Sequence, residues 1–286
     1  MRIDQLLVQR ELASTRSQAQ RLIAAGVTWQ PAAETGEVWK RVGKNGDEVP
    51  DDARIRLLDD AEARFVSRGG LKLQAALKSV GLDVQGMVCL DVGQSTGGFT
   101  DCLLQAGANR VVGIDVGSAQ LHPSLRADPR VSCLENVNAR HLTATDFIAV
   151  NNDGISATAE FTSDGDPETD AEILGELAAP SFDLVVADLS FISQTLVLPA
   201  VVPFLKAGGV LLTLVKPQFE LQPGQVGKGG IVKDAGMYAI VEARLRSACA
   251  ELGLEVTAWF NCAIDGGDGN REFFIAAKKS AGGLAN

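Results

Sequence analysis

The sequence predicts an α/β chain in which a parallel sheet carries helices on both faces and follows a small α+β domain. From Met87 onward, near-continuous apolar segments of strand length alternate with segments of helical pattern, as in parallel sheets buried on both faces. The residues before Leu58 instead combine two short helical patterns with short strands. A length of 286 residues, 46% of them hydrophobic, accommodates one large and one small domain.

The small domain is expected to begin with two helices. Apolar side chains recur at helical spacing over residues 2–9 and predict a first short helix. Thr15 and Gln18 have the spacing of a capping box at the start of a second helix, which Gly26 is placed to end in the left-handed conformation. Short strands follow and end near Leu58, so a compact helix-turn-helix with a few strands is expected.

The larger domain is expected to alternate strands and helices. Its predicted strands are Met87–Val92, Arg110–Asp115, Asp183–Ala187, Val210–Val215, Leu254–Phe260 and Phe273–Ala277. Its predicted helices are Gly98–Gln105, Leu196–Leu205 and Tyr238–Leu252. Because parallel sheets bind ligands at the carboxyl ends of their strands, we expect the functional site along that edge.

The negative charge is concentrated in one part of the chain. The net charge is −10, and 11 of the 36 acidic residues lie from His141 to Leu205, where no lysine or arginine occurs. The remainder has 26 basic and 25 acidic residues (36 − 11), so the overall acidity does not exclude a nucleic-acid partner. The polar, aperiodic residues 151–178 predict a solvated acidic loop inserted in the larger domain.

Composition argues against several protein classes. No segment has the roughly 20 mostly apolar residues of a membrane-spanning helix, and the first residues lack the pattern of a secretion signal. The five cysteines are odd in number and show neither a CxxC pair nor a Cys/His metal spacing. We therefore expect a soluble cytoplasmic protein with reduced thiols, no metal and no membrane partner. The sequence does not distinguish a monomer from a weak dimer.

A glycine-rich turn follows the first strand of the larger domain and leads into a helix. Glycines let the backbone approach a ligand closely, and the start of a helix offers free amide groups. Asp91 stands two positions before Gly93, where a carboxylate would repel a pyrophosphate but suits an ammonium group. Asp115 closes the next strand, where such folds bind ribose hydroxyls. Together they favour S-adenosylmethionine over NAD as the ligand, with a purely structural turn as the alternative.

Two charged residues follow later strands. Asp188 and Lys216 each come directly after an apolar run, so both side chains are expected at the ligand-binding edge of the sheet. An aspartate beside a lysine can hold an ammonium in position, and burial can tune its pKa for proton transfer. A structural ion pair, or two separate charges that reach solvent, is the alternative.

Four longer motifs occur in order along the chain: SRGGLKL at 67–73, DVGQSTGGFTD at 91–101, DLSFIS at 188–193 and LVKPQFE at 214–220. Together they resemble the TlyA-type ribosomal RNA 2′-O-methyltransferases, also called the haemolysin A family, over nearly the whole chain outside the acidic insertion. The resemblance implies a Rossmann-like class I S-adenosylmethionine-dependent methyltransferase domain of FtsJ-like type. It also implies a small N-terminal α+β RNA-binding domain of ribosomal-protein-S-four type.

On this resemblance the chain divides into three parts. Residues 1–62 form the RNA-binding domain, residues 63–67 the linker, and residues 68–280 the methyltransferase domain with the acidic insertion at 151–178. The linker is expected to be passive, with a coupling of RNA binding to cofactor binding as the alternative.

The resemblance further implies a Lys-Asp-Lys-Glu catalytic tetrad, which maps onto Lys72, Asp188, Lys216 and Glu272. Lys216 would steer and deprotonate the attacking hydroxyl and Asp188 would orient it, while the other two would position the nucleotide. Because a free lysine is protonated at neutral pH, base action by Lys216 requires desolvation or a nearby positive charge, for which Lys72 is the candidate.

Binding residues follow from the same resemblance. The implied cofactor-binding residues are Asp91, Gly93, Ser95, Gly97, Gly98, Phe99, Asp115, Asn138 and Asp188. The implied RNA-binding residues are Arg2, Arg10, Arg16, Arg21 and Arg68. One departure from the family pattern is Gln94, which stands where a small residue is expected and puts the packing of the turn in question.

We therefore expect methyl transfer from S-adenosylmethionine to a ribose 2′-hydroxyl of ribosomal RNA, on a cytidine as the resemblance implies. Ribosomal RNA or ribosomal subunits would be the partners. One alternative is a non-catalytic RNA-binding or ribosome assembly factor, although all four residue types of the tetrad are present. The other is a membrane-active haemolysin, for which the sequence offers no strongly basic amphipathic face.

Overall fold

The computed structural model describes residues 1–13, 15–32, 39–58, 64–147, 182–264 and 269–280. The acidic insertion predicted at 151–178 and the domain boundary predicted at residue 62 lie outside the described residues.

The N-terminal part packs two helices on a small antiparallel sheet. Helix α1 spans Ile3–Gln9 and helix α2 spans Arg16–Gly26. The strands are β1 (Val27–Gln30), β2 (Lys40–Arg41) and β3 (Arg54–Leu57), with β1 in the middle. Apolar side chains from both helices and from the inner face of the sheet form a small core of their own. The helices and short strands predicted for this part are therefore present.

The residues at the two ends of α2 set its bounds and attach it to the larger part. The hydroxyl of Thr15 accepts a hydrogen bond from the backbone N–H of Gln18 at 3.2 Å, as a helix N-cap does. The side chain of Gln18 donates to the backbone carbonyl of Phe65 at 3.2 Å, which ties α2 to the segment that enters the larger part. Gly26 ends the helix at a φ of +131°, a backbone conformation that favours glycine.

The larger part is a seven-stranded sheet with the order β6-β5-β4-β7-β8-β10-β9. Its strands are β4 (Val88–Val92), β5 (Arg110–Asp115), β6 (Val131–Glu135), β7 (Phe182–Asp188), β8 (Leu205–Val215), β9 (Leu254–Asn261) and β10 (Phe273–Lys279). The helices are α3 (Arg68–Val80), α4 (Gly98–Gln105), α5 (Pro123–Arg126), α6 (Leu198–Val201), α7 (Pro217–Glu220) and α8 (Gly236–Glu251).

The sheet is covered on both faces, as predicted. Along β7, Leu184 and Val186 belong to one hydrophobic cluster, whereas Val185 and Ala187 belong to the cluster on the other face. This alternation explains why the strands are apolar almost without interruption. Strands β4 to β8 run parallel, so their carboxyl ends meet at one edge.

The sheet is parallel, as predicted, apart from one antiparallel strand. Strand β10 pairs antiparallel with both β8 and β9 and lies between them. Consecutive parallel strands need a crossover of a dozen or more residues, usually helical, and the connection from β9 to β10 contains no helix among its described residues. As a result, the beginning of β10 reaches the edge at which β7 and β8 end.

The prediction of one continuous helix at Leu196–Leu205 is wrong. The segment forms one-turn pieces, including α6 and a 3₁₀ turn at Val202–Phe204, and β8 already begins at Leu205. Pro199 and Pro203 each stand at the start of such a piece, because proline lacks the N–H that a longer helix would need there.

Candidate active site

A tight glycine turn connects β4 to α4 at the carboxyl edge of the sheet. Gly93 and Gly97 have φ angles of +81° and +93°, which residues other than glycine rarely adopt. A Cβ on Gly93 would lie 2.8 Å from the backbone oxygen of Asp188, and one on Gly97 would lie 2.4 Å from the Leu125 side chain. The turn therefore packs directly against the end of β7. No side chain of Gly93 or Gly97 covers its backbone.

Asp91 lies beneath this turn. One carboxylate oxygen accepts hydrogen bonds from the backbone N–H (3.0 Å) and the hydroxyl (2.7 Å) of Thr100 in α4. The other oxygen is buried and has no hydrogen-bond partner. Burial, reinforced by the charge of Asp188, raises the pKa of Asp91 to about 7 despite the bonds from Thr100. The second carboxylate oxygen thus lacks a donor or a cation among the described residues.

Gln94, the departure from the family pattern, is accommodated inside the turn. Its side chain is buried against Gly113 of β5, where a Cβ would come within 2.0 Å of it. Its amide nitrogen donates to the Thr100 hydroxyl at 2.8 Å, and that hydroxyl donates to Asp91. The larger side chain fits because the facing strand position is a glycine.

Asp115 holds the outer side of the turn. Its two carboxylate oxygens accept the backbone N–H groups of Ser95 and Gly117, each at 2.7 Å. Its carbonyl accepts the N–H of Val137 at 3.0 Å, which brings the loop that carries Asn138 to the same edge. Asn138 is exposed, and its side chain caps the following 3₁₀ turn by accepting the N–H of Arg140.

A cleft opens above the glycine turn. One wall is the turn itself, the second is the start of α3 at Ser67 and Gly69, and the third is formed by Asp188, Ser190 and Lys216. Five of the predicted cofactor-binding residues line this cleft: Gly93, Ser95, Gly98, Phe99 and Asp188. The remaining four, Asp91, Gly97, Asp115 and Asn138, lie beneath or beside it.

The Phe99 ring belongs mainly to the core. It is buried and stacks on Phe274 of β10 with ring centroids 6.4 Å apart. A Cβ on its neighbour Gly98 would lie 2.1 Å from the Ser67 hydroxyl oxygen and 3.0 Å from the backbone nitrogen of Gly70. The starts of α3 and α4 therefore touch directly at the cleft.

The predicted tetrad comes together at the same edge as two ion pairs. Lys216 Nζ lies 2.6 Å from Asp188 Oδ1, and it also donates to the Ser190 hydroxyl at 2.9 Å. Lys72 Nζ lies 2.5 Å from Glu272 Oε2. Glu272 immediately precedes the pairing of β10 with β8, in which Phe273 faces Val215, so it sits across the ladder from Lys216.

The two pairs differ in burial. Lys72 and Glu272 are buried, whereas Asp188 and Lys216 reach the cleft. The charge of Lys72 is offset by Glu272, which weakens the idea that Lys72 supplies the positive charge for deprotonating Lys216. The geometry instead presents Lys216 as an ammonium held in place by Asp188 and Ser190.

Other side chains of the site were not singled out from the sequence, although the DLSFIS and LVKPQFE motifs contain them. Phe191 is 89% exposed with a φ of +64°, and its ring lies 5.0 Å from that of Phe219. Glu220 is buried and accepts hydrogen bonds from the Ser193 hydroxyl (2.5 Å) and the Gln194 N–H (2.8 Å). Glu220 thereby ties the loop after β7 to the segment after β8.

The predicted RNA-binding arginines are largely engaged within the small domain. Asp4 is fully buried, and its carboxylate pairs with Arg2 at 2.9 Å and with Arg16 at 3.0 Å. The hydrogen bond from Arg2 is the main reason why the pKa of Asp4 falls to about 2. Arg10 donates to the backbone carbonyls of Asp51 and Ala53. Arg21 and Arg68 are half-buried.

Metal and membrane features are missing from the part of the chain that the structure describes. No group of three or more histidine, cysteine or acidic side chains there could hold a metal ion. No helix there has the length and apolar character needed to cross a membrane. All five cysteines are free thiols, and burial raises the pKa of Cys89 and of Cys102 to about 12.

Two known protein families match this chain, one in each of its two parts. The FtsJ-like methyltransferase family matches residues 65–279, and the S4 domain family matches residues 1–26. The 16S/23S rRNA (cytidine-2′-O)-methyltransferase TlyA of Mycobacterium tuberculosis is 39% identical over 277 residues, which cover 96% of this chain and 88% of that protein. Hemolysin A of Brachyspira hyodysenteriae is 32% identical over 273 residues, covering 96% and 98% respectively. A solved Streptococcus thermophilus structure that carries the hemolysin name has 34% identity and a TM-score of 0.67, covering 98% of this chain and 88% of that one.

Proposed function

Because the chain belongs to the FtsJ-like methyltransferase family and carries an N-terminal S4 domain, we propose that it methylates a cytidine ribose 2′-hydroxyl of ribosomal RNA, using S-adenosylmethionine. The observation that carries the proposal is the Asp188–Lys216 ion pair, which faces a bare glycine turn across one cleft. The activity named for the Mycobacterium tuberculosis relative supports the choice of substrate.

The residues around the turn fit this cofactor. The buried Asp91 oxygen without a partner, and the raised pKa of that carboxyl, mark a place where a cationic group would be stabilising. Gly93 and Gly98 line the cleft without side chains of their own. Each Asp115 carboxylate oxygen accepts one backbone N–H and has a second lone pair with which it can accept a ribose hydroxyl. S-adenosylmethionine supplies, when bound, a methyl group on a positively charged sulfur.

The chain's own contribution begins with alignment. Lys216 is held at Asp188 and Ser190, so its ammonium can bind the attacking ribose oxygen at a fixed position. Alignment of this kind contributes roughly 7–11 kcal/mol to lowering a barrier in favourable cases. The side chain therefore acts first as a positioning group for the hydroxyl.

The hydroxyl proton must leave as the new oxygen–carbon bond forms. A Lys216 side chain that has released its own proton to solvent accepts it, and Asp188, 2.6 Å away, stabilises the ammonium that forms. General-base help of this kind accelerates reactions by about 10²–10⁴-fold. Lys72 and Glu272 neutralise each other beneath the cleft and hold α3 against β10, which positions the nucleotide side of the site.

A pair of aromatic rings close in sequence to cleft residues suits a nucleobase. Phe191 and Phe219 follow the catalytic Asp188 and Lys216 by only three residues each, and the Phe191 ring is open to solvent. Single-stranded RNA bases stack on such rings. We expect the target nucleotide to rest there with its ribose toward Lys216.

The substrate is ribosomal RNA, free or within a ribosomal subunit, and the protein acts in the cytoplasm where ribosomes are assembled. The S4 domain supplies RNA contacts in addition to those of the cleft.

Transfer of tritium from labelled S-adenosylmethionine to purified ribosomal subunits tests the proposal. We expect the wild-type chain to label the RNA and Lys216→Ala to lose at least about 10²-fold of that rate, with cofactor affinity changed by no more than a few fold. RNA binding by the wild type without label would make it a non-catalytic RNA-binding factor. Equal labelling by Lys216→Ala would remove that residue from the mechanism.

A further inference from the structure

The outer face of the three-stranded sheet in the small domain carries three exposed arginines. Strand pairing places Arg41 of β2 and Arg56 of β3 on either side of Thr28 in β1. Because side chains alternate along a strand, Trp39 shares the face of Arg41, and Arg54 shares that of Arg56. We call Trp39, Arg41, Arg54 and Arg56 the arginine face.

This face points away from the core of the small domain. The opposite side of the sheet, with Val27 and Trp29 of β1 and Ile55 and Leu57 of β3, packs against the core formed with α1 and α2. All three arginines of the arginine face are exposed. The face is therefore available to a partner that approaches the small domain from the sheet side.

A tryptophan holds the arginine side chains in place. The Arg56 guanidinium carbon lies 4.4 Å from the centre of the Trp39 ring, and that of Arg54 lies 5.7 Å from it. Both distances are within the range of cation–π attraction. Such contacts reduce the side-chain entropy that a guanidinium loses when it binds an anion.

Two of these arginines have no acidic partner among the residues that the structure describes. Neither Arg41 nor Arg56 forms an ion pair with an acidic residue of the described ranges. This contrasts with Arg2 and Arg16 on the helices, which share the buried Asp4. Placing like charges on one sheet face is unfavourable unless an anionic partner binds there.

We propose that the arginine face is the RNA-docking surface of the small domain and that Arg41 and Arg56 bind backbone phosphates of ribosomal RNA. The inference rests on the proposed function and deepens it by assigning a surface to the RNA. Guanidinium groups bind phosphate in a bidentate manner, and aromatic rings beside them suit nucleic acid. The surface lies on the opposite side of the small domain from the helices that the sequence indicated.

The salt dependence of RNA binding by the full chain tests this surface. Affinity for purified ribosomal RNA is measured by filter binding at several salt concentrations for the wild type and for Arg41→Gln/Arg56→Gln. Each lost phosphate contact lowers the slope of log K against log salt by about 0.7–0.9, so we expect a decrease of about 1.4–1.8. The control is Arg130→Gln/Arg246→Gln, which removes the same charge from arginines paired with Asp128 and Glu242 and should keep the wild-type slope.

Methyl transfer by the same variants separates this inference from the proposed function. We expect Arg41→Gln/Arg56→Gln to raise the KM for RNA at least tenfold while kcat stays at the wild-type value. Wild-type affinity, salt slope and KM in this variant would overturn the arginine face, even if the chain methylates RNA. A lowered slope in a chain whose wild type transfers no methyl group would uphold the face and overturn the enzyme.

Trp39 offers a second readout. We expect RNA to quench the tryptophan emission of the wild type and to quench that of Trp39→Phe much less, because Trp29 packs in the core and Trp259 stacks on Phe273. Equal quenching in both proteins would place the RNA elsewhere.

Discussion

Asp91 has a buried carboxylate oxygen that no donor satisfies, and its pKa of about 7 reflects that environment. Between about pH 4 and 7 the folded chain binds more protons at this residue than the unfolded chain does. By linkage, Asp91 therefore contributes stability that decreases as pH rises through this window. A cationic ligand nearby would favour the ionised form and offset the free-energy cost of ionising this buried carboxyl.

Cofactor affinity should consequently depend on pH. We expect the affinity for S-adenosylmethionine to fall by nearly tenfold for each pH unit below 7, where the ligand's amino group stays charged and Asp91 becomes protonated. Isothermal titration calorimetry between pH 5.5 and 7 measures this. Asp91→Asn should bind more weakly with a flat profile, and a flat profile in the wild type would rule out an electrostatic role for Asp91.

The Asp188–Lys216 ion pair leads to a second prediction about a single residue. We expect Asp188→Asn to lower kcat by about 10²-fold or more, because the lysine loses the charged partner that holds it and stabilises its ammonium form. The matched control is Asp183→Asn at the other end of β7, where Asp183 pairs with Lys206 at 2.8 Å. Steady-state kinetics should show wild-type kcat for the control, and an equal loss in both variants would indicate damage to the strand instead of a role in the reaction.

Sequence patterns located some of these residues but not their partners. Asp188 and Lys216 were predictable because each follows a recognisable apolar strand whose end faces the ligand edge. The Lys72–Glu272 pair spans 200 positions, so no local spacing indicates it and only the family resemblance did. The capture of Arg2 and Arg16 by Asp4 was missed because a helical pattern does not show which acid is buried beneath it.

Elements of secondary structure were predictable where strong local signals occur. Helix α4 and strand β5 have the predicted bounds, because a glycine turn and an apolar run delimit them. The broken segment around α6 was not, since apolar spacing outweighed the two prolines in that prediction. Helix α3 was not assigned, because its first turn contains Gly69 and Gly70, which lower helix propensity.

The start of α3 connects the small domain to the cleft, and Gly70 is its critical position. A Cβ there would lie 2.3 Å from the Phe65 ring, whose backbone carbonyl accepts the hydrogen bond from Gln18 of α2. The backbone nitrogen of Gly70 also lies close to Gly98 of α4. A displacement of this turn would therefore reach both the cofactor side and the domain junction.

We expect Gly70→Ala to lower the free energy of unfolding by about 1–3 kcal/mol, as overpacking in a core does, and to weaken S-adenosylmethionine binding. Chemical denaturation and calorimetry measure the two effects. Gly224→Ala is the control, because nothing lies within 4 Å of the added methyl group and its φ is not in the left-handed region. Wild-type stability and cofactor affinity in Gly70→Ala would show that close packing of Gly70 against Phe65 contributes to neither property.

At the scale of the whole molecule, the fold brings distant segments to one sheet edge. The cleft combines the start of α3, the turn after β4 and the ends of β7 and β8, while β10 delivers Glu272 by running antiparallel. The order of the strands could not be read from the sequence, because which strands pair is decided by long-range packing. The two-domain division and the covered sheet were predictable, since both follow from the change in apolar pattern near Met87.

In the proposed function, one cleft aligns a ribose hydroxyl with a methyl donor while the small domain holds the RNA. Site-by-site mapping of ribose 2′-O-methylation tests this most directly. Ribosomal RNA is compared after incubation of subunits with S-adenosylmethionine and either the wild-type chain or Lys216→Ala. We predict one or a few cytidines that become methylated to near completion with the wild type and stay unmodified with the variant. Methylation confined to a base, or no new ribose methylation with the wild-type chain, would contradict the proposed function.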